Sequence, residues 1–65
     1  REEAGQFSRA LARLPEGQQR AVVLFHVEGL SYEEISARLR VPVGTVATWL
    51  MRAKSALHQA LSEKT

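Results

Sequence analysis

Four cations, Arg38, Arg40, Arg52 and Lys54, cluster in the second half of the chain, and no acid occurs between Ile35 and Ser62. A cationic surface free of carboxylates suits a polyanion, because each phosphate neutralised by Lys or Arg releases condensed counterions. Other chemistry has thinner support. Glu33 and Glu34 resemble a carboxylate pair, but adjacent helical residues diverge, and Glu34 has a capping role described below. His26 and His58 have no carboxylate or cysteine at ligand spacing. The chain contains no nucleophile elbow, phosphate-cradling glycine loop or metal motif. A binding protein rather than an enzyme is expected, with no cofactor and no metal.

Composition narrows the class further. The 65 residues carry nine Lys/Arg against seven Asp/Glu, a net charge of +2. That total is too small to identify a nucleic-acid binder; the distribution is more telling. Glu2, Glu3, Glu16 and Glu28 lie in the first half, away from the four cations. There is no cysteine, which fits a reducing cytoplasm and removes disulfides as staples. No apolar run approaches the ~18 residues that a membrane span needs, and no signal peptide is expected. A domain of this length buries only about 60% of its unfolded surface, so packed helices must supply the stability. The chain starts at Arg1 without methionine and is expected to be the C-terminal piece of a longer protein.

The cations need elements to hold them, and the periodicity predicts four helices. The first spans about 3–13, with Phe7, Ala10, Leu11 and Leu14 at helical spacing. Pro15 opens the second, where its missing N–H is harmless. This helix runs to about Val27 and is expected to bury Ala21, Val23, Leu24 and Val27. A strand over AVVLF is rejected despite its β propensity, because both flanks carry helix signals. Gly29 stops the second helix. Ser31 caps the third, about 31–39, with Glu34 completing a capping box. The fourth, about 43–62, places Val46, Leu50, Ala53, Leu57, Ala60 and Leu61 inward, and residues 62–65 are expected to form a tail.

Between the third and fourth helices stands Arg40-Val41-Pro42, which cannot continue a helix because Pro42 lacks an N–H and clashes with the preceding turn. Two helices across so short a break form a helix-turn-helix, whose second helix enters a DNA major groove. Ser36 is small enough for the point where the two helices approach. Arg40 occupies a turn position where glycine is easier. Val43, Gly44 and Thr45 are expected to offer free backbone N–H groups to a phosphate. Ala47, Thr48, Met51, Arg52 and Ser55 point outward, and Trp49 lies at the edge of the buried stripe. Arg52 suits guanine O6/N7 or a phosphate, while Ala47 and Thr48 suit a thymine methyl. Tyr32 and Arg38 suit the DNA backbone. The fold class expected is all-α: a small four-helix domain with a C-terminal helix-turn-helix, winged-helix-like or homeodomain-like but without a wing.

The succession LPEGQQRAVVL, EGLSYEEI and VPVGTV, followed by Arg52-Ala53, resembles region 4 of bacterial sigma-70 family factors, particularly the extracytoplasmic-function (ECF) group. The resemblance covers about Leu11 to Leu57, and the order and spacing of the pieces carry it. It implies a cytoplasmic, monomeric domain that reads the −35 promoter element in double-stranded DNA and docks on the β flap of RNA polymerase. By the same resemblance, Thr45, Ala47, Thr48, Met51 and Arg52 would read bases. Tyr32, Arg38 and Arg40 would contact the backbone, with Val43, Gly44 and Lys54 added from the local reading. Leu24, Val27 and Leu30 would contribute to the flap groove, and an anti-sigma factor would be a further partner. One departure matters: after GTV the family commonly has a basic residue, a serine and an arginine, where this chain has Ala47, Thr48 and Trp49. Two other readings remain open. One is a sigma-like module that binds an anti-sigma factor without reading DNA, and the other is the helix-turn-helix output domain of a response regulator.

Overall fold

The computed structural model describes residues 2–62. Pro15 and Pro42 mark two of the chain's breaks, and the helices fall between them as α1 (Glu2–Ala12), α2 (Glu16–Val22), α3 (Tyr32–Leu39) and α4 (Val43–Ser62). No strand occurs among the described residues, so the architecture is all-α with a helix-turn-helix formed by α3 and α4. Of the residues expected as a tail, Ser62 is the last residue of α4, and 63–65 lie outside the described residues.

The second helix departs from expectation. A single α-helix to Val27 is replaced by α2 running directly into a π-helical turn over Val23–Val27. Glu28 N–H donates to the Val23 carbonyl at 3.2 Å, and Leu30 N–H to the Leu24 carbonyl at 3.0 Å. Gly29 closes the element at φ +71°, the left-handed conformation expected of it. An i→i+5 turn winds more slowly than an α-turn, so α-helical spacing misplaces the residues at its end. Val27, expected inward with Leu24, is instead 76% exposed, and Val23 is only half-buried.

Ser31 and Glu34 form the capping box. Glu34 N–H donates to Ser31 Oγ at 3.1 Å, and Ser31 N–H donates to Glu34 Oε1 at 2.8 Å. At the other end of α3, Arg40 takes the left-handed conformation (φ 61°, ψ 47°). It is the one non-glycine residue with positive φ among those described, and the conformation costs an L-residue about 1–2 kcal/mol. Ser36 holds this turn together. Its carbonyl accepts from the N–H groups of Arg40 and Val41, and its hydroxyl donates to the Val41 carbonyl. The small residue expected at the helix crossing therefore also staples the turn.

The core joins Leu14, Ala21, Val22 and Leu24 to Ile35 of α3 and to Val46, Leu50 and Ala53 of α4. Ala21 and Ala53 are fully buried, as their lack of bulk allows where helices approach closely. Leu11, Phe25, Leu30, Leu39, Val41, Trp49 and Leu57 pack around this centre. Burying each large aliphatic side chain contributes about 1.5–3 kcal/mol, which is how a domain without staples holds α4 in place. Towards the end of α4 the stripe weakens. Ala60 is half-buried, and Leu61, expected inward, is 37% exposed.

Candidate nucleic-acid interface

α4 presents four distinct sides, each set by the three- and four-residue spacing of a helix. Val46, Leu50 and Ala53 face the core. On one flank, Trp49 lies over the start of α2. A Cβ built on Gly17 would stand 2.8 Å from Cη2 and 2.9 Å from Cζ2 of its indole. No real Cβ tolerates that approach, so the absence of a side chain at position 17 is what seats the ring. Trp49 is thus the packing residue that its place at the edge of the stripe suggested.

The opposite flank is open. Val43, Ala47 and Met51 follow at intervals of four, with Val43 40% and Met51 65% exposed. Ala47 and Met51 form one wall of an apolar groove whose other walls include Phe7, Phe25 and Tyr32, with Lys54 at its edge. Phe25 meets Tyr32 edge-on with ring centroids 5.6 Å apart, and His26 at 4.9 Å. Such pairs contribute about 0.5–1.5 kcal/mol beyond area burial, which fixes the Tyr32 ring beside α4.

The fourth side faces away from the core. Here Thr48 and Arg52 share a face with Ser55; Arg52 and Ser55 are exposed and Thr48 is half-buried. Thr45, at the third position of α4, is also half-buried. Its N–H is not free for a phosphate as expected: it donates to the Pro42 carbonyl at 3.0 Å, and Val46 N–H donates to the same oxygen at 3.2 Å. Pro42 has extended the first turn by one carbonyl, leaving Val43 and Gly44 as the positions whose N–H groups precede that ladder.

Of the residues expected on the DNA backbone, the structure separates two. Tyr32 lines the apolar groove against α4, whereas Arg38 lines a crevice against α2 with Gln19 and Arg20. Arg38 also borders Arg40 and Leu30 in a second crevice, so these two arginines do sit together. Arg38, Arg40, Arg52 and Lys54 are all exposed. The three residues expected in a polymerase-facing groove differ in exposure, although Leu30 N–H donates to the Leu24 carbonyl at 3.0 Å. Leu24 is buried and borders the Arg20–Arg38 crevice, Leu30 is half-buried near Arg40, and Val27 projects into solvent. The groove lined by Phe7, Phe25, Tyr32, Ala47 and Met51 went unrecognised in the sequence. Its one available signal was the apolar spacing of Val43, Ala47 and Met51.

The described residues hold no group of three or more His, Cys, Asp or Glu able to bind a metal ion. No helix among them is long and apolar enough to cross a membrane. What the surface offers instead is cations, hydroxyls and apolar side chains on one long helix.

Comparison with known proteins agrees with this arrangement. The family model for sigma-70, region 4 matches residues 4–63. The RNA polymerase sigma-H factor of Pseudomonas aeruginosa is 43% identical over 51 residues, which cover 78% of this chain and 26% of that protein. The ECF RNA polymerase sigma-E factors of Salmonella typhimurium and Escherichia coli K12 are each 45% identical over 49 residues, 75% of this chain and 26% of theirs. The chain therefore spans about a quarter of the length of these curated relatives.

Proposed function

Because the chain belongs to the region 4 family of sigma-70 factors, we propose that it recognises a −35 promoter element through α4 and so helps to direct RNA polymerase to initiation sites in the bacterial cytoplasm. The observation that carries this reading is the outer face of α4 and its surroundings. Arg52 and Lys54 are exposed on a helix that carries no acid, and Arg38 and Arg40 are exposed at the end of α3 and in the turn that leads to it. In this reading Arg52 pairs with guanine O6/N7, and Thr48, which shares its face, touches a thymine methyl. Tyr32, Arg40 and the start of α4 at Val43 and Gly44 supply backbone contacts, which position without specifying.

Even with Arg52 on a phosphate rather than a base, four phosphate contacts from the four cations would give a salt slope of only about −3.6. Binding by this domain alone is correspondingly weak, and a linked second domain and polymerase raise its effective concentration. On the polymerase side the partner is the β flap. Of Leu24, Val27 and Leu30, it is Val27 that a partner reaches without rearrangement.

A second reading has an observation of its own. Where the family commonly carries basic residues, Ala47 has no charge and Trp49 is turned onto Gly17. That loss favours a sigma-like module that binds an anti-sigma factor and does not read DNA. Titration of a labelled duplex carrying an AAC-containing −35 motif, against a scrambled duplex at low salt, separates the two. Promoter reading requires a preference for the motif, and Arg52→Ala should then weaken specific binding by about 1–3 kcal/mol. Equal or absent binding by the folded chain would favour the module.

A further inference from the structure

The groove between α1, the π-turn, α3 and α4 serves neither the core nor the outer face of α4. Val22 and Leu50, both buried, form its floor, and Phe7, Phe25 and Tyr32 rise around it on three different elements. Ala47, Met51 and Leu57 supply the α4 wall. Its volume is about 570 Å³. Clefts of ~300–1,000 Å³, lined mainly by apolar and aromatic side chains with a few polar groups, are where proteins hold small ligands. Met51 at 65%, Phe7 at 41% and Tyr32 at 38% exposed gather large apolar surface in one place, and such a patch marks a binding surface.

The few polar groups restrict the ligand. No Asp or Glu is among the described residues that line the groove. Lys54 stands exposed at its edge, and His26 and the Tyr32 hydroxyl are the other polar groups there. Lys54 forms no ion pair among the described residues. An apolar body fits the walls, and one negative charge complements the edge. A cationic ligand would meet Lys54 with no carboxylate in the lining to offset it. Walls on four elements around a buried floor suit a compact molecule.

We propose that this groove binds an apolar carboxylate, a small molecule whose body lies against Phe7, Phe25 and Met51 and whose carboxylate lies beside Lys54. Ala47, Met51 and Lys54 belong both to the groove and to the surface expected to meet DNA, so ligand and duplex exclude one another. The bound anion neutralises Lys54 and places negative charge where a phosphate would approach. This coupling rests on the promoter-reading function proposed above; binding of the anion does not.

The single methionine gives the groove its own reporter. With an isotopically labelled Met51 methyl group, titration with decanoate below its micelle-forming concentration should move the methyl resonance saturably. The indole N–H signal of Trp49, on the other flank of α4, should stay in place. Octanoate, shorter by two methylenes, should bind about tenfold more weakly. Decyltrimethylammonium, with the same chain and the opposite charge, should bind about fivefold more weakly than decanoate, and Lys54→Gln should remove most of that difference. A Met51 signal that does not saturate, or that moves together with Trp49, would overturn the site, and equal affinity for the anion and the cation would overturn the role of Lys54. A Met51 signal that ignores decanoate and moves with an acidic amphipathic peptide would replace the small ligand by a protein partner. In a second titration, decanoate should release a bound −35 duplex over the concentration range that saturates Met51; a duplex held unchanged would overturn the coupling. A chain that takes decanoate but binds no duplex would overturn promoter reading and leave the site standing.

Discussion

Trp49 and Met51 stand two residues apart on the same helix and meet opposite surroundings. Trp49 lies against Gly17 at the start of α2, where no Cβ fits between them. Met51 stands at the mouth of a groove, 65% exposed. Both are large apolar residues flanking the same buried stripe, so hydrophobicity alone does not separate them. What separates them is the neighbour: a helix with a missing side chain on one flank, and a gap bordered by Phe7, Phe25 and Tyr32 on the other. One flank of α4 anchors the helix, which leaves the other free to bind.

The most forceful way to break this comparison is Trp49→Ala. Full burial of an aromatic makes its truncation cost about 3–5 kcal/mol. Trp49 is partly buried against the core, so a loss of roughly 2–3 kcal/mol is expected. In a small domain this is a large share of total stability, and thermal unfolding followed by circular dichroism should show a marked fall in Tm. A fall no larger than that of an exposed residue would mean that the indole does not anchor α4.

Gly17→Ala tests the same flank from the other side with a smaller effect. Overpacking costs about 1–3 kcal/mol, and alanine's better helix propensity returns up to about 1 kcal/mol. A net destabilisation of about 1 kcal/mol is expected, with a shift in the fluorescence of the single tryptophan as the ring is displaced. In the Trp49→Ala background the clash is gone, so the same Gly17→Ala change should become neutral or stabilising. Denaturant unfolding of the four proteins forms a double-mutant cycle. Additive effects would show that the two residues do not touch.

Why the anchored flank was only half legible follows from the range of the interactions. The capping box at Ser31 and Glu34 depends on residues three apart, and the turn at Arg40 on a break enforced by Pro42. Both could be read locally, as could Gly29. The seat of Trp49 depends on Gly17 in another helix, and periodicity reports only that position 49 borders the apolar stripe. The π-turn at Val23–Val27 was hidden for a similar reason. An α- and a π-turn share the same residue preferences here, and the packing around Phe25 and Tyr32, together with the exit at Gly29, accompanies the one that forms. α-Helical spacing consequently predicts Val27 inside, whereas it is outside. The open groove is not legible in the sequence, because helical spacing identifies an apolar face without saying whether anything covers it.

The smallest effect belongs to the open flank and is the sharpest form of the contrast. Met51→Ala removes a large apolar side chain from the same helix as Trp49→Ala does, yet it should change stability by no more than about 0.5 kcal/mol, the usual range for a surface substitution. Two small terms oppose each other there. Contacts with the groove walls are lost, and the better helix propensity of alanine returns a few tenths of a kcal/mol. Chemical denaturation with the midpoint compared at fixed slope measures the balance. A loss approaching that of Trp49→Ala would place Met51 in the core and close the groove in solution. A near-zero change would mean that the folded domain has no structural need for methionine at this position, so that its side chain remains available to a ligand.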